Sequence, residues 1–184
     1  MSVTETTAAT TGLPAGTWQL DHTHSSAGFA IKHMIVATFR GRFDNFDATL
    51  TVDDTSAELV GTVDVTSLVV KDENLQAHLG SPDFFDSERY PEIGFHSTSI
   101  RRDGDELIVD GDLTIKGTTR PMEARGTIAG PAVTFGDVPK LGITLDAIID
   151  RNEFGLEWNA PLPKGGFALE NEVKLTVELE LAQG

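Results

Sequence analysis

The chain has 184 residues, a hydrophobic fraction of 39% and no cysteine. These values exclude a disordered chain, a coiled coil, disulfides, thiolate metal sites and a cysteine nucleophile, and one domain is the default for this length. Asp and Glu number 29 against 14 Lys and Arg, a formal charge of −15, so phosphate backbones and anionic membrane surfaces should be repelled and no nucleic-acid partner is expected.

Residues 1–16 (MSVTETTAATTGLPAG) are rich in Thr and Ala and carry no apolar period. They read as a flexible tail ahead of a single domain at 17–184. With no basic start followed by an apolar stretch, and no apolar run long enough to span a bilayer, the chain reads as cytoplasmic without stable membrane insertion.

From Thr17 onward the dominant signal is alternation. Candidate strands fall at 17–21, 26–34, 38–52, 58–68, 92–101, 107–115, 119–129, 141–149 and 173–181. The last is the clearest: Val173, Leu175, Val177, Leu179 and Leu181 alternate with Lys174, Thr176, Glu178 and Glu180, so one face is dry and the other wet. Leu141, Ile143, Leu145, Ala147 and Ile149 repeat the pattern, with Ile148 as an apolar intruder on the polar side. Asp103-Gly104 between two runs is a hairpin signal. Short gaps favour antiparallel neighbours. Residues 72–89 break the alternation. Leu75 and Leu79 suit a helical turn, and Ser81-Pro82 reads as an N-cap followed by Pro at the first helical position. One or two short helices are therefore expected at about 72–89, carrying Phe84 and Phe85. Glycines recur inside the strands, which suits the bends of an all-β barrel. About eight strands would leave room for side chains or one small ligand.

Few residues offer chemistry. No nucleophile elbow, P-loop or dinucleotide-binding Gly pattern is present, and no carboxylate pair stands out for acid–base work. His22 and His24, two apart on a presumed strand, would project to one face, and His33 or His78 could complete a metal site. A metal carrier or metal-dependent enzyme is therefore the alternative function, weighed against simple hydrogen-bonded histidines. The aromatic residues point elsewhere. Phe29, Ile31 and His33 share one face of a strand, and Phe39, Gly41 and Phe43 share another, Gly41 leaving space between two rings. Taken singly each Phe is core. Taken together they suit an apolar cavity, which would select long apolar molecules at about 25 cal/mol per Å² buried.

The blocks Trp18-Gln-Leu-Asp-His-Thr-His-Ser25, Phe29-Ala-Ile-Lys-His33, Arg40-Gly-Arg-Phe43, His78-Leu-Gly-Ser-Pro-Asp-Phe-Phe-Asp86, Tyr90-Pro91 with Phe95, Gly111-Asp-Leu-Thr-Ile-Lys-Gly117, Arg151 with Phe154-Gly155, and Glu172-Val173 occur in order across the chain. In that order and spacing the sequence resembles the YceI-like polyisoprenoid-binding proteins from Thr17 to Leu181. The resemblance implies a lipocalin-like, extended, antiparallel eight-stranded β-barrel with short helices. It also implies an elongated cavity holding polyisoprenoid chains, isoprenoid quinones or fatty amides, with no established catalysis and no required cofactor. Two departures stand out. Where many relatives carry an Arg-Asp pair just before the His-Leu step, this chain has Leu75 and Gln76. Many relatives are also exported. The expectation is a non-enzymatic binder of a long apolar lipid, for storage, transport or sensing. Phe29, Ile31, Phe39, Phe43, Phe84, Phe85, Phe95 and Leu113 are expected on the wall, His33 as a polar contact inside, and His24 and His78 in a polar network near the mouth. A greasy mouth or open strand edge leaves room for a homodimer.

Overall fold

A computed structural model describes residues 12–184. The strands are β1 (Gly16–Leu20), β2 (Ser26–His33), β3 (Ala37–Phe43), β4 (Phe46–Val52), β5 (Ala57–Asp64), β6 (Leu68–Val69), β7 (Glu92–Asp103), β8 (Glu106–Ile115), β9 (Thr118–Val133), β10 (Pro139–Asp150) and β11 (Leu169–Gln183). One helix, α1 (Glu73–Gly80), lies between β6 and β7.

All pairings are antiparallel and join neighbours in the order β1-β4-β5-β7-β8-β9-β10-β11, which β11 closes back onto β1. β2, β3 and β6 are not extra staves. β11 pairs with β1 at Leu181–Gln183 and with β2 at 169–178. β1 and β2 are therefore one long stave broken by the turn His22–His24. In the same way β3 continues into β4, and β5 into β6. The result is a closed up-and-down barrel of eight staves, whose closure removes the exposed edges an open sheet would carry.

The alternation drives this arrangement. In β10, Leu141, Ile143, Leu145, Ala147 and Ile149 are all buried, whereas Ile148 faces out and is 67% exposed. The turns carry the expected chemistry. Gly104 adopts a positive φ in the two-residue β7–β8 turn, and Lys116 and Gly117 both do so between β8 and β9, the geometry that matches the twist of a tight hairpin.

Three local expectations are corrected. His22 and His24 lie in a single 3-10 turn, because the Asp21 carboxylate accepts the backbone N–H groups of Thr23 and His24 and pulls the chain out of extension. The run 38–52 is cut at Asp44-Asn45, where Asp44 N–H donates to the Ser67 carbonyl and Asn45 N–H to the Ser67 hydroxyl. Ser81 ends a helix rather than starting one. It is the C-cap of α1, its backbone N–H and hydroxyl both donating to the His78 carbonyl, while the Asp72 side chain caps the N-terminus. Phe84 and Phe85 therefore sit on a chain of turns after α1.

At the N-terminus, residues 1–11 of the expected tail lie outside the described residues. Residues 12–16 pack on the barrel: Leu13 is buried, and the Trp18 indole N–H donates to the Pro14 carbonyl at 3.1 Å.

The interior divides into two clusters. At the end where β1 begins and β11 finishes, Trp18, Leu50, Leu107, Val109, Leu141 and Leu181 are almost completely buried and pack the barrel shut. Toward the other end Ile31, Phe43, Leu68, Leu79, Phe84, Phe85, Ile149, Phe154 and Val173 form the second cluster. Among the described residues no helix is long and apolar enough to cross a membrane.

Candidate functional site

The second cluster surrounds a cavity of about 340 Å³. Its wall is built by β2 and β3 (Phe29, Ile31, Phe39, Phe43), by α1 and the turns after it (Leu75, Leu79, Phe84, Phe85), by Ile93, Ile115 and Ile149, by the β10–β11 connection (Phe154, Leu156, Trp158, Ala168) and by Leu169, Val173 and Leu175. Among the described residues, titratable side chains reach it from His33, His78 and Arg151. A second cavity of about 170 Å³ lies deeper in the barrel and is lined by Phe46, Leu59, Phe95, Leu113, Met122 and Leu145 among others. Phe43, Ile93, Ile115 and Leu175 line both, so the two spaces adjoin along the barrel axis.

The wall is shaped by glycines opposite aromatic rings. Gly41 pairs in register with Phe29, and a Cβ on Gly41 would come within 2.5 Å of the Phe29 ring. Phe29 thus lies flat over the glycine, filling the gap that the sequence leaves between Phe39 and Phe43. The same device recurs at Gly111, where a Cβ would meet the Phe95 ring at 2.4 Å. Both rings are held against the wall, which keeps the lumen open. Around Phe29, ring centroids lie at 6.1 Å (Phe39), 5.9 Å (Phe43) and 6.3 Å (Phe85), all tilted or edge-on, within the favourable range for aromatic pairs.

The β10–β11 connection forms one side of the opening. Arg151, only 4% exposed, holds it in place. Its guanidinium donates to the carbonyls of Leu156 (2.5 Å), Trp158 (2.9 Å) and Glu170 (2.8 Å). Burial lowers its pKa from the ordinary value. Asn159 fastens the other side by bonding both the N–H and the carbonyl of Leu169.

The expected wall residues divide between the two spaces. Phe29, Ile31, Phe39, Phe43, Phe84 and Phe85 line the larger one. Phe95 and Leu113 line the deeper one. His33, exposed where β2 ends, lines the cavity at its rim. His78 is half-buried, edge-on to Phe84 (5.0 Å) and Trp158 (4.8 Å), with Nε2 3.1 Å from Asp83.

His24 is corrected outright. It lies near Glu180, whereas His33 is in register with Leu169 on the same strand. That separation is about a strand length, roughly 30 Å. His24, His33 and His78 therefore cannot share a mouth network or a metal, and His22 faces Asp47 at 3.7 Å instead. Asp21, His24 and Glu180 do bring ligand atoms within 4.8 Å of one another. The Lys140 ammonium already supplies the positive charge there, donating to Asp21 at 3.2 Å and to Glu180 at 2.5 Å. His24 first and Lys140 second hold the Asp21 carboxyl well below the usual range. Leu75 and Leu79 of α1 and Leu156 and Trp158 of the β10–β11 connection are among the wall residues that were missed. The first two carried a helical-turn spacing; the last two carry only apolar character inside a polar connection.

A YceI-like domain model matches residues 18–181. The chain belongs to the YceI-like family. Among its relatives, Protein YceI of Escherichia coli O157:H7 is 33% identical over 141 residues, covering 73% of this chain and 72% of the relative. A UPF0312 protein of Staphylococcus aureus (strain USA300) is 32% identical over 169 residues, covering 88% and 95%. In three dimensions, the crystal structure of Burkholderia cenocepacia BcnA superposes with a TM-score of 0.75 at 24% identity, covering 88% of this chain and 98% of that one. A polyisoprenoid binding domain from Saccharophagus degradans superposes with a TM-score of 0.69 at 12% identity, covering 91% and 98%. The family barrel is therefore shared across widely diverged sequences.

Proposed function

We propose that the protein binds a long apolar lipid, of the polyisoprenoid, isoprenoid-quinone or fatty-chain class, inside the barrel. One observation carries this reading: a cavity walled by aromatic and aliphatic side chains, with His33, His78 and Arg151 the titratable ones among the described lining residues. Such a wall selects by burial, each CH₂ withdrawn from water contributing about 0.8 kcal/mol. The volume of about 340 Å³ lies at the low end of the ~300–1,000 Å³ range of ligand pockets. A long chain therefore occupies it only if the shared wall residues rotate and join the deeper space. The description of the Saccharophagus domain as polyisoprenoid-binding agrees with this ligand class.

Native mass spectrometry of freshly purified protein, followed by organic extraction, tests the proposal. A prenyl or fatty chain near one per barrel is the expected result; a barrel that carries nothing and takes up no apolar probe refutes it. Phe43→Asp puts a charge between the two spaces, where an unpaired carboxylate is unfavourable. It should abolish uptake in a variant that still folds, as judged by circular dichroism.

A further inference from the structure

Four of the exposed large apolar side chains among the described residues lie beside the opening. Met34, Ile35 and Val36 form the β2–β3 turn and are 42%, 65% and 87% exposed. Met34 and Ile35 both have positive φ, 52° and 68°, a conformation that a β-branched residue adopts only against strain. Phe167, 60% exposed, belongs to the facing connection. Met34 N–H donates to the Ala168 carbonyl at 2.7 Å, tying the two tips together, and Met34 also lines the cavity. The patch is thus continuous with the cavity wall.

Charge is distributed unevenly around it. The formal charge of −15 predicts repulsion from anionic surfaces, yet none of the 29 acidic residues falls in 31–43 or 158–169, the two segments that build this lip. These segments hold Lys32, Arg40, Arg42 and Lys164. Lys32 and Arg40 stand exposed on the hairpin, in register opposite Thr38 and Ala30. The exposed acids near the opening are Asp72, Glu73, Asp83 and Glu88 around α1 and its turns, Glu153 and Glu157 in the β10–β11 connection, and Glu170 and Glu172 at the start of β11, so only the two tips themselves are free of them. Phe135, the other exposed aromatic tip, lies at the far end beside Asp137 and has no cations in its turn.

We propose that this lip docks on an anionic phospholipid bilayer, Ile35, Val36 and Phe167 entering the headgroup–acyl boundary while Lys32, Arg40 and Lys164 meet lipid phosphates. An apolar tip flanked by cations is the pattern of an interfacial membrane contact. Docking there sets the opening against the membrane, so an apolar ligand passes between bilayer and barrel without crossing water. That consequence rests on the lipid-binding reading above; docking itself does not. A second copy is the competing occupant, and the oligomeric state in solution separates the two.

The test is flotation with vesicles of equal parts phosphatidylcholine and phosphatidylglycerol, compared with phosphatidylcholine alone, using the intact protein. Uptake of a fluorescent fatty probe from solution is measured in parallel. Wild type should float with the anionic vesicles and be released by salt. Ile35→Asp and Val36→Asp should each lower partitioning about tenfold, and Lys164→Glu about fivefold, with probe uptake unchanged. Phe135→Asp should change neither. Wild type that takes up probe but ignores vesicles overturns docking and leaves the lipid-binding reading intact. Wild type that floats but takes up no probe does the reverse. A dimer in sedimentation velocity that Ile35→Asp dissociates, without flotation, assigns the lip to a second copy and overturns the proposal.

Discussion

Phe29 and Gly41 are the pair on which the lumen depends. A side chain at position 41 would meet the Phe29 ring at 2.5 Å, and the ring has only the cavity to move into. Gly41→Val is expected to fold but to swing that ring inward. If roughly 55 Å² of ligand contact is lost at about 25 cal/mol per Å², affinity for an apolar probe falls about tenfold. Titration of the probe against variant and wild type checks this, with unchanged affinity showing that the ring finds room elsewhere. Phe39 and Phe43 were legible on one face and Phe29 with Ile31 on another, because strand alternation fixes which side chains share a face. The flat packing of Phe29 was not, since it arises between strands that only register brings together.

Whole strands were more legible than what interrupts them. Alternation located the staves because a half-buried strand imposes period two on its side chains. The interruptions come from single polar contacts that mimic the same period. His22-Thr23-His24 looks extended until Asp21 captures two backbone N–H groups, and Ser81-Pro82 looks like a helix start until the Ser81 hydroxyl returns to His78. The β10–β11 connection was the least legible part, and it supplies Leu156 and Trp158 to the cavity. Its shape is set by Arg151, which bonds the Leu156 and Trp158 carbonyls of the connection and the Glu170 carbonyl of β11. Arg151→Met should leave those carbonyls unpaired, at about 1–3 kcal/mol for each that water cannot reach. Arg151→Lys should not rescue it, since an ammonium lacks the planar fork. Urea denaturation and probe uptake should both reveal the loss. A variant as stable as wild type would show that the connection holds its shape without the guanidinium.

For the molecule as a whole, acid should be the weak side. The Asp21, Asp53, Asp64 and Glu123 carboxyls are all held below their ordinary values. At Asp53 the backbone N–H of Thr55, then that of Ser56, brings the value from 3.8 to about 2. A depressed carboxylate stabilises the fold above its unfolded value, and that contribution disappears as pH falls through the folded one. The melting midpoint should therefore stay level or rise slightly from neutral pH to about 5, as self-repulsion from the acidic surface eases. Below about 4 it should fall steadily. Thermal melts across that range decide the matter, and a midpoint unchanged down to pH 2 would mean these contacts survive in the unfolded chain. The barrel itself has a plugged end at Trp18, Leu50 and Leu181 and an opening at the other. It is a blind tube, like a sheath, and any occupant must leave by the way it entered. The part seated first is hidden from every partner. Whatever recognises a loaded barrel can read only the trailing end of its cargo, and a hand-over between two barrels would have to be made mouth to mouth.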